Sequence, residues 1–126
     1  MRPFLLIAAI ASCLAVANCS GLSESTRAVG ITCEVGPDCN AKWSRAKQWV
    51  AANSPLKVQK ETDTIIQTVS SPADSRTTAF TITRNATTKF GVDEIDFTAG
   101  CVSLLSCIPN IAESRAGFRA FVTASP

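Results

Sequence analysis

Apolar and polar residues alternate along this chain in three distinct rhythms. From Phe4 to Ala17 the chain is apolar, broken only by Ser12 and Cys13. Beyond Asn40 the rhythm becomes helical. Trp43, Ala46 and Val50 recur at helical spacing, Trp49 lies at the edge of the same stripe, and Ser44, Lys47 and Gln48 fall elsewhere. Asn40 can cap a helix from Ala41 to Ala52, which Asn53-Ser54-Pro55 would end. The third rhythm has a period of two. Thr64 to Val69 is short and rich in β-branched residues. Thr78, Phe80 and Ile82 alternate with Ala79, Thr81 and Thr83, and Ile95 and Phe97 alternate with Glu94, Asp96 and Thr98. The string Ser70-Ser71-Pro72-Ala73-Asp74-Ser75 is turn chemistry between the first two of these runs, and a loop from Asn85 to Lys89 precedes the third. Near the end, Asn110 with Glu113 resembles a capping box for a helix from Ile111 to Val122, with Ile111, Phe118, Phe121 and Val122 on one side. Arg115 falls beside that stripe, and Gly117 could mark a close contact with the sheet.

The predicted order is α-β-β-β-α. Short connections favour antiparallel hairpins over parallel crossovers. Both helices and the sheet have one apolar side, and a two-layer α+β sandwich buries all three together. Its sheet has three strands, or four if Lys57–Gln59 joins it. The expected organisation is a signal peptide over residues 1–18, a polar tether over 19–30 and a single domain over 31–126. A chain of 126 residues has room for one core.

The apolar leader, with Arg2 before it, matches an export signal and is shorter than the roughly 20 apolar residues a membrane span requires. Two processing routes compete. Ala15-Val16-Ala17 would suit a general signal peptidase cutting before Asn18. Val16-Ala17-Asn18-Cys19 instead resembles a bacterial lipobox in which Cys19 is acylated, with Asn18 departing from the usual small residue. Ile10-Ala11-Ser12-Cys13 fits the lipobox letters but leaves a very short leader. Parity favours Cys19. Of six cysteines, cleavage before Asn18 leaves five, whereas acylating Cys19 leaves Cys33, Cys39, Cys101 and Cys107 to pair.

Those four form two equal spacings, Cys33-x5-Cys39 and Cys101-x5-Cys107. Three connectivities are open. A bridge from Cys39 to Cys101 would stabilise by about 4.3 kcal/mol and each local bridge by about 2.4 kcal/mol, but local closure forms more easily. Gly36-Pro37-Asp38 supplies turn chemistry inside the first loop. Two local bridges are therefore expected. The C-x5-C spacing is not that of structural zinc, and no C-x-x-C redox motif occurs.

Composition removes further classes. The sequence has no His and no Tyr, which excludes Ser-His and Cys-His nucleophiles and histidine acid–base chemistry. No catalytic residues, cofactor or metal ligands are assigned, and a non-enzymatic role is expected. Net charge is +2 with basic residues scattered from Arg27 to Arg119, so no nucleic-acid partner is expected. Asp93, Glu94 and Asp96 lack calcium-loop spacing, and strand alternation would send Asp93 away from the other two. They are expected to be a solvated strand end. Asn85-Ala86-Thr87 matches a glycosylation sequon by chance. Trp49 is expected to pack in the core, and contact with a ligand is the alternative.

The run from Cys33 to Ile66, with Asp38-Cys39, Trp43, Arg45-Ala46, Trp49-Val50 and Ser54, resembles a group of small proteobacterial envelope proteins. Phe80-Thr81-Ile82-Thr83, Gly100-Cys101 and Cys107-Ile108-Pro109 resemble its later portion. The resemblance implies an exported, often lipidated small domain with no catalytic residues. The expected function is that of an envelope lipoprotein, anchored by lipid and facing the periplasm, which works through contact with an envelope protein. The alternative is a soluble periplasmic or secreted module that binds a small ligand or inhibits a hydrolase.

Overall fold

The computed structural model of the chain describes residues 30–124. The expected signal peptide, Cys19 and the tether up to residue 29 lie outside the described residues. The elements are β1 (Ile31–Glu34), α1 (Pro37–Asn53), β2 (Val58–Glu61), β3 (Ile65–Thr68), β4 (Ala79–Ala86), β5 (Val92–Gly100) and α2 (Ile111–Thr123). All five strands form one antiparallel sheet in the order β1-β5-β4-β3-β2. This corrects the expected three- or four-stranded sheet and the α-β-β-β-α order. The chain runs β-α-β-β-β-β-α.

The correction has two physical sources. β1 is only four residues long, yet its Ile31 and Cys33 are buried between exposed Thr32 and Glu34, so its inward face completes the core beside β5. β2 has only exposed or half-buried residues and exists through its hairpin with β3. Thr62 holds that hairpin turn, its Oγ1 accepting from the N–H groups of Thr64 and Ile65. A register shift between Val58 and Lys60 breaks the regularity of this edge strand, as edge strands commonly do.

Register places Ile31 opposite Ile95, Ile82 opposite Phe97 and Ile66, and Phe80 opposite Ala99. These side chains share one face and join Trp43, Ala46, Trp49, Val50, Phe118 and Val122 of the helices in a single core. Both helices therefore cover the same side of the sheet. They run antiparallel, since Arg45 donates to the Val122 carbonyl while Gly117 lies over Trp49. A Cβ at Gly117 would stand 3.8 Å from the Trp49 indole, so this glycine faces α1 and not the sheet.

Both helix predictions need adjustment at their ends. α1 begins at Pro37, not at Ala41, and Gly36, at φ 117°, precedes it in place of Asn40. Proline suits the first helical position, where its missing N–H has no partner to lose. Asp38 in the first turn accepts from the Glu34 N–H and pairs with Lys42 at 3.3 Å. In α2, Asn110 caps as expected, its Oδ1 accepting from the Glu113 N–H. Phe121, however, is exposed, and Ser114 takes a buried place on the inner side. Arg115 lies over the Phe97 ring at 5.8 Å.

Candidate functional surface and cavity

The two local disulfides are present, Cys33–Cys39 with Cα atoms 4.9 Å apart and Cys101–Cys107 at 5.7 Å. Cys39 is inside α1, so the first bridge joins the edge strand β1 to the helix above it. Each of the four cysteines among the described residues is paired, so none of these four is a thiolate ligand. Among the described residues no group of three or more His, Cys, Asp or Glu could hold a metal ion.

The second bridge closes a loop that leaves β5 and leads to α2. Its base is fixed. Arg76 donates from Nε to the Ser106 carbonyl at 2.7 Å and from Nη2 to the Ser106 hydroxyl at 3.0 Å. The Ile108 N–H donates to the Arg76 carbonyl, the Thr78 N–H donates to the Ile108 carbonyl, and the Thr78 hydroxyl donates to the Pro109 carbonyl. Thr78 is fully buried, so these bonds tie the loop to the core. The tip is the reverse. Leu104 is fully exposed and Val102 and Leu105 are each more than half exposed, and Ile108 at the base adds a fourth exposed aliphatic side chain. A single exposed leucine is ordinary, but four aliphatic side chains on and beside one braced loop are not.

Trp49 is 7 % exposed and packs edge-on against Phe80, Phe97 and Phe118 with ring centroids 5.4 to 5.9 Å away. The structure thus places the candidate ligand contact in the aromatic centre of the core. The neighbouring Trp43 instead lines a cavity of about 660 Å³ between α1 and the sheet. Its Nε1 donates to the Thr62 carbonyl at 3.1 Å.

The other walls of that cavity are polar. Asn40, Ser44 and Lys47 descend from α1, Thr64 comes from the β2–β3 turn, and Arg84 and Asp93 rise from β4 and β5. Arg84 donates from Nε to Asp93 at 2.9 Å, and both side chains are largely covered, with 15 % and 17 % exposure. Exposed Asp63 stands at the rim, while Lys47 reaches Glu61 only at 3.9 Å. The expected acidic strand end is therefore divided by the pleat. Asp93 faces the helices, whereas Glu94 and Asp96 share the open face. A smaller cavity near the β4–β5 hairpin is lined by Asp38, Lys42 and Lys89.

Two signals in the sequence pointed to what was missed. Arg84 follows Phe80 and Ile82 in the inward phase of β4, and an arginine there needs an acid partner. Asp93 precedes Ile95 and Phe97 in the inward phase of β5. For the loop, Val102, Leu104 and Leu105 lie between cysteines six positions apart, a ring too small to bury its own side chains. No family model, curated protein or solved structure matches this chain.

Proposed function

We propose that this is an exported envelope protein, lipidated at Cys19, which acts without catalysis by binding an envelope protein through the loop closed by Cys101–Cys107. The observation that carries this reading is the contrast between the loop's braced base and its exposed aliphatic tip. A rigid protrusion loses little conformational freedom on docking, so the apolar area it buries is retained as affinity. The partner it suits has an apolar recess able to take Leu104 and its neighbours.

Further features support the setting. Two disulfides in one small domain suit an oxidising, extracytoplasmic compartment. No helix among the described residues is long and apolar enough to cross a membrane. β1 pairs from Ile31 opposite Ile95 to Glu34 opposite Val92. β1 therefore begins on the side of β5 from which the loop leaves. The resemblance to small proteobacterial envelope proteins is in keeping with this layout.

A photocrosslinking side chain at position 104, introduced in the native host, should give one discrete protein adduct in the envelope fraction. The same group at Gln48 should not. Leu105→Glu should reduce the position-104 adduct at least tenfold while leaving the thermal midpoint unchanged. Equal adducts from positions 104 and 48, or an adduct indifferent to Leu105→Glu, would refute the proposal.

A further inference from the structure

The Arg84 guanidinium borders the cavity beneath α1, with Asp93 on one edge of it. It lies on the helix-facing side of the sheet, and Asp93 takes only its Nε donor. No acceptor among the described residues hydrogen-bonds its Nη donors. These donors are not sealed from solvent but border the cavity beneath α1, where a ligand can reach them. The free edge of a guanidinium offers parallel N–H groups, the geometry that takes a carboxylate through both oxygens.

The remaining walls narrow the ligand further. Arg84 and Lys47 bring two positive charges, and Asp93 and Asp63 bring two negative ones, so the walls are balanced. A multiply charged anion would meet both aspartates. A sugar would want an aromatic platform, and Trp43 is only 4 % exposed. A molecule carrying one carboxylate and one ammonium satisfies both signs, with Asn40 and Ser44 available to amide or hydroxyl groups. The volume, about 660 Å³, lies within the usual range for small-molecule sites.

We propose that the cavity between α1 and the β4–β5 end of the sheet is a binding site for a small zwitterion of the amino-acid or dipeptide class. Its carboxylate sits on Arg84 and Lys47, and its ammonium group lies against Asp63. This site is independent of the Cys101–Cys107 loop.

The test is a titration of the ¹⁵N-labelled protein with L-alanyl-L-alanine, acetate or inorganic phosphate, followed by amide chemical shifts. The dipeptide should produce saturable shifts at Asn40, Lys47, Thr64 and Arg84 at millimolar concentration or below. Lys47→Gln and Asp63→Asn, both on accessible side chains that spare the fold, should each weaken binding about tenfold or more, the value of one charge-assisted hydrogen bond. Leu105→Glu should leave it unchanged, which separates failure here from failure of the loop proposal. No saturable shift up to about 10 mM, a range that covers even weak sites, would overturn the proposal. So would equal shifts from acetate or phosphate, or binding that both variants leave intact.

Discussion

On the open face of the sheet, Glu94 and Asp96 stand two residues apart on β5, so their carboxyl groups lie on the same side. A hydrogen bond with Asp96, the repulsion between the two charges and partial burial all raise the Glu94 pKa above its ordinary value, opposed by a hydrogen bond from the Gly30 N–H. Asp38 is in the contrary situation. The Glu34 N–H that it accepts, with Lys42 beside it, lowers its pKa below 3.8 despite some desolvation. The signs follow. Asp38 contributes stability that is complete above its unfolded pKa and disappears as pH falls through its lower folded value. Glu94 carries a penalty that is complete above its raised folded pKa and is relieved as it protonates. Asp96→Asn should therefore stabilise the domain at pH 7, by about 0.5 kcal/mol for a half-buried pair still open to solvent screening. The gain should shrink in 1 M salt and vanish near pH 3, which thermal melts across a pH series would show. Equal gains at pH 3 and pH 7 would contradict this account.

At the scale of elements, what the sequence disclosed depended on how many residues carried each pattern. β4 and β5 are eight and nine residues long, and their alternation showed both the strands and their buried faces. α2 announced itself through Asn110, a local signal that needs no tertiary partner. β1 and β2 have four residues each, too few for alternation to stand out, and both owe their existence to a neighbouring strand. The start of α1 was hidden because Gly-Pro-Asp is equally good turn and helix-entry chemistry, and only the edge strand before it decides between them. Equal spacing of the cysteines made local pairing legible, but the loop they close could be valued only once its side chains were seen exposed. Replacing Cys101 and Cys107 together by Ser should cost about 2.4 kcal/mol, the chain entropy of a small ring. Arg76, Thr78 and the α2 cap should hold the rest of the domain, so denaturant melts should keep their slope while the midpoint falls. A changed slope would mean that this bridge organises more than its own loop.

For the molecule as a whole, one core joins every layer. Trp49 of α1 touches Phe80 of β4, Phe97 of β5 and Phe118 of α2, so the helices and the sheet cannot part without exposing the same four rings. Trp43, nearer the cavity, is bound to the β2–β3 turn through the Thr62 carbonyl. The two tryptophans thus report on separate regions of a single cluster. Trp43→Phe leaves Trp49 as the reporter, and Trp49→Phe leaves Trp43. In each variant, fluorescence and far-ultraviolet circular dichroism should give coincident unfolding midpoints, as a small domain with one core requires. Trp49→Ala should cost about 3–5 kcal/mol, since it empties the place where three rings meet. That cost is a large share of the roughly 5–15 kcal/mol typical of a folded domain. If Trp43 reported an earlier transition than Trp49, the cavity end would unfold by itself. A cost below about 1 kcal/mol for Trp49→Ala, a value outside the range for buried aromatic truncation, would show that the four rings are not the joint between the layers.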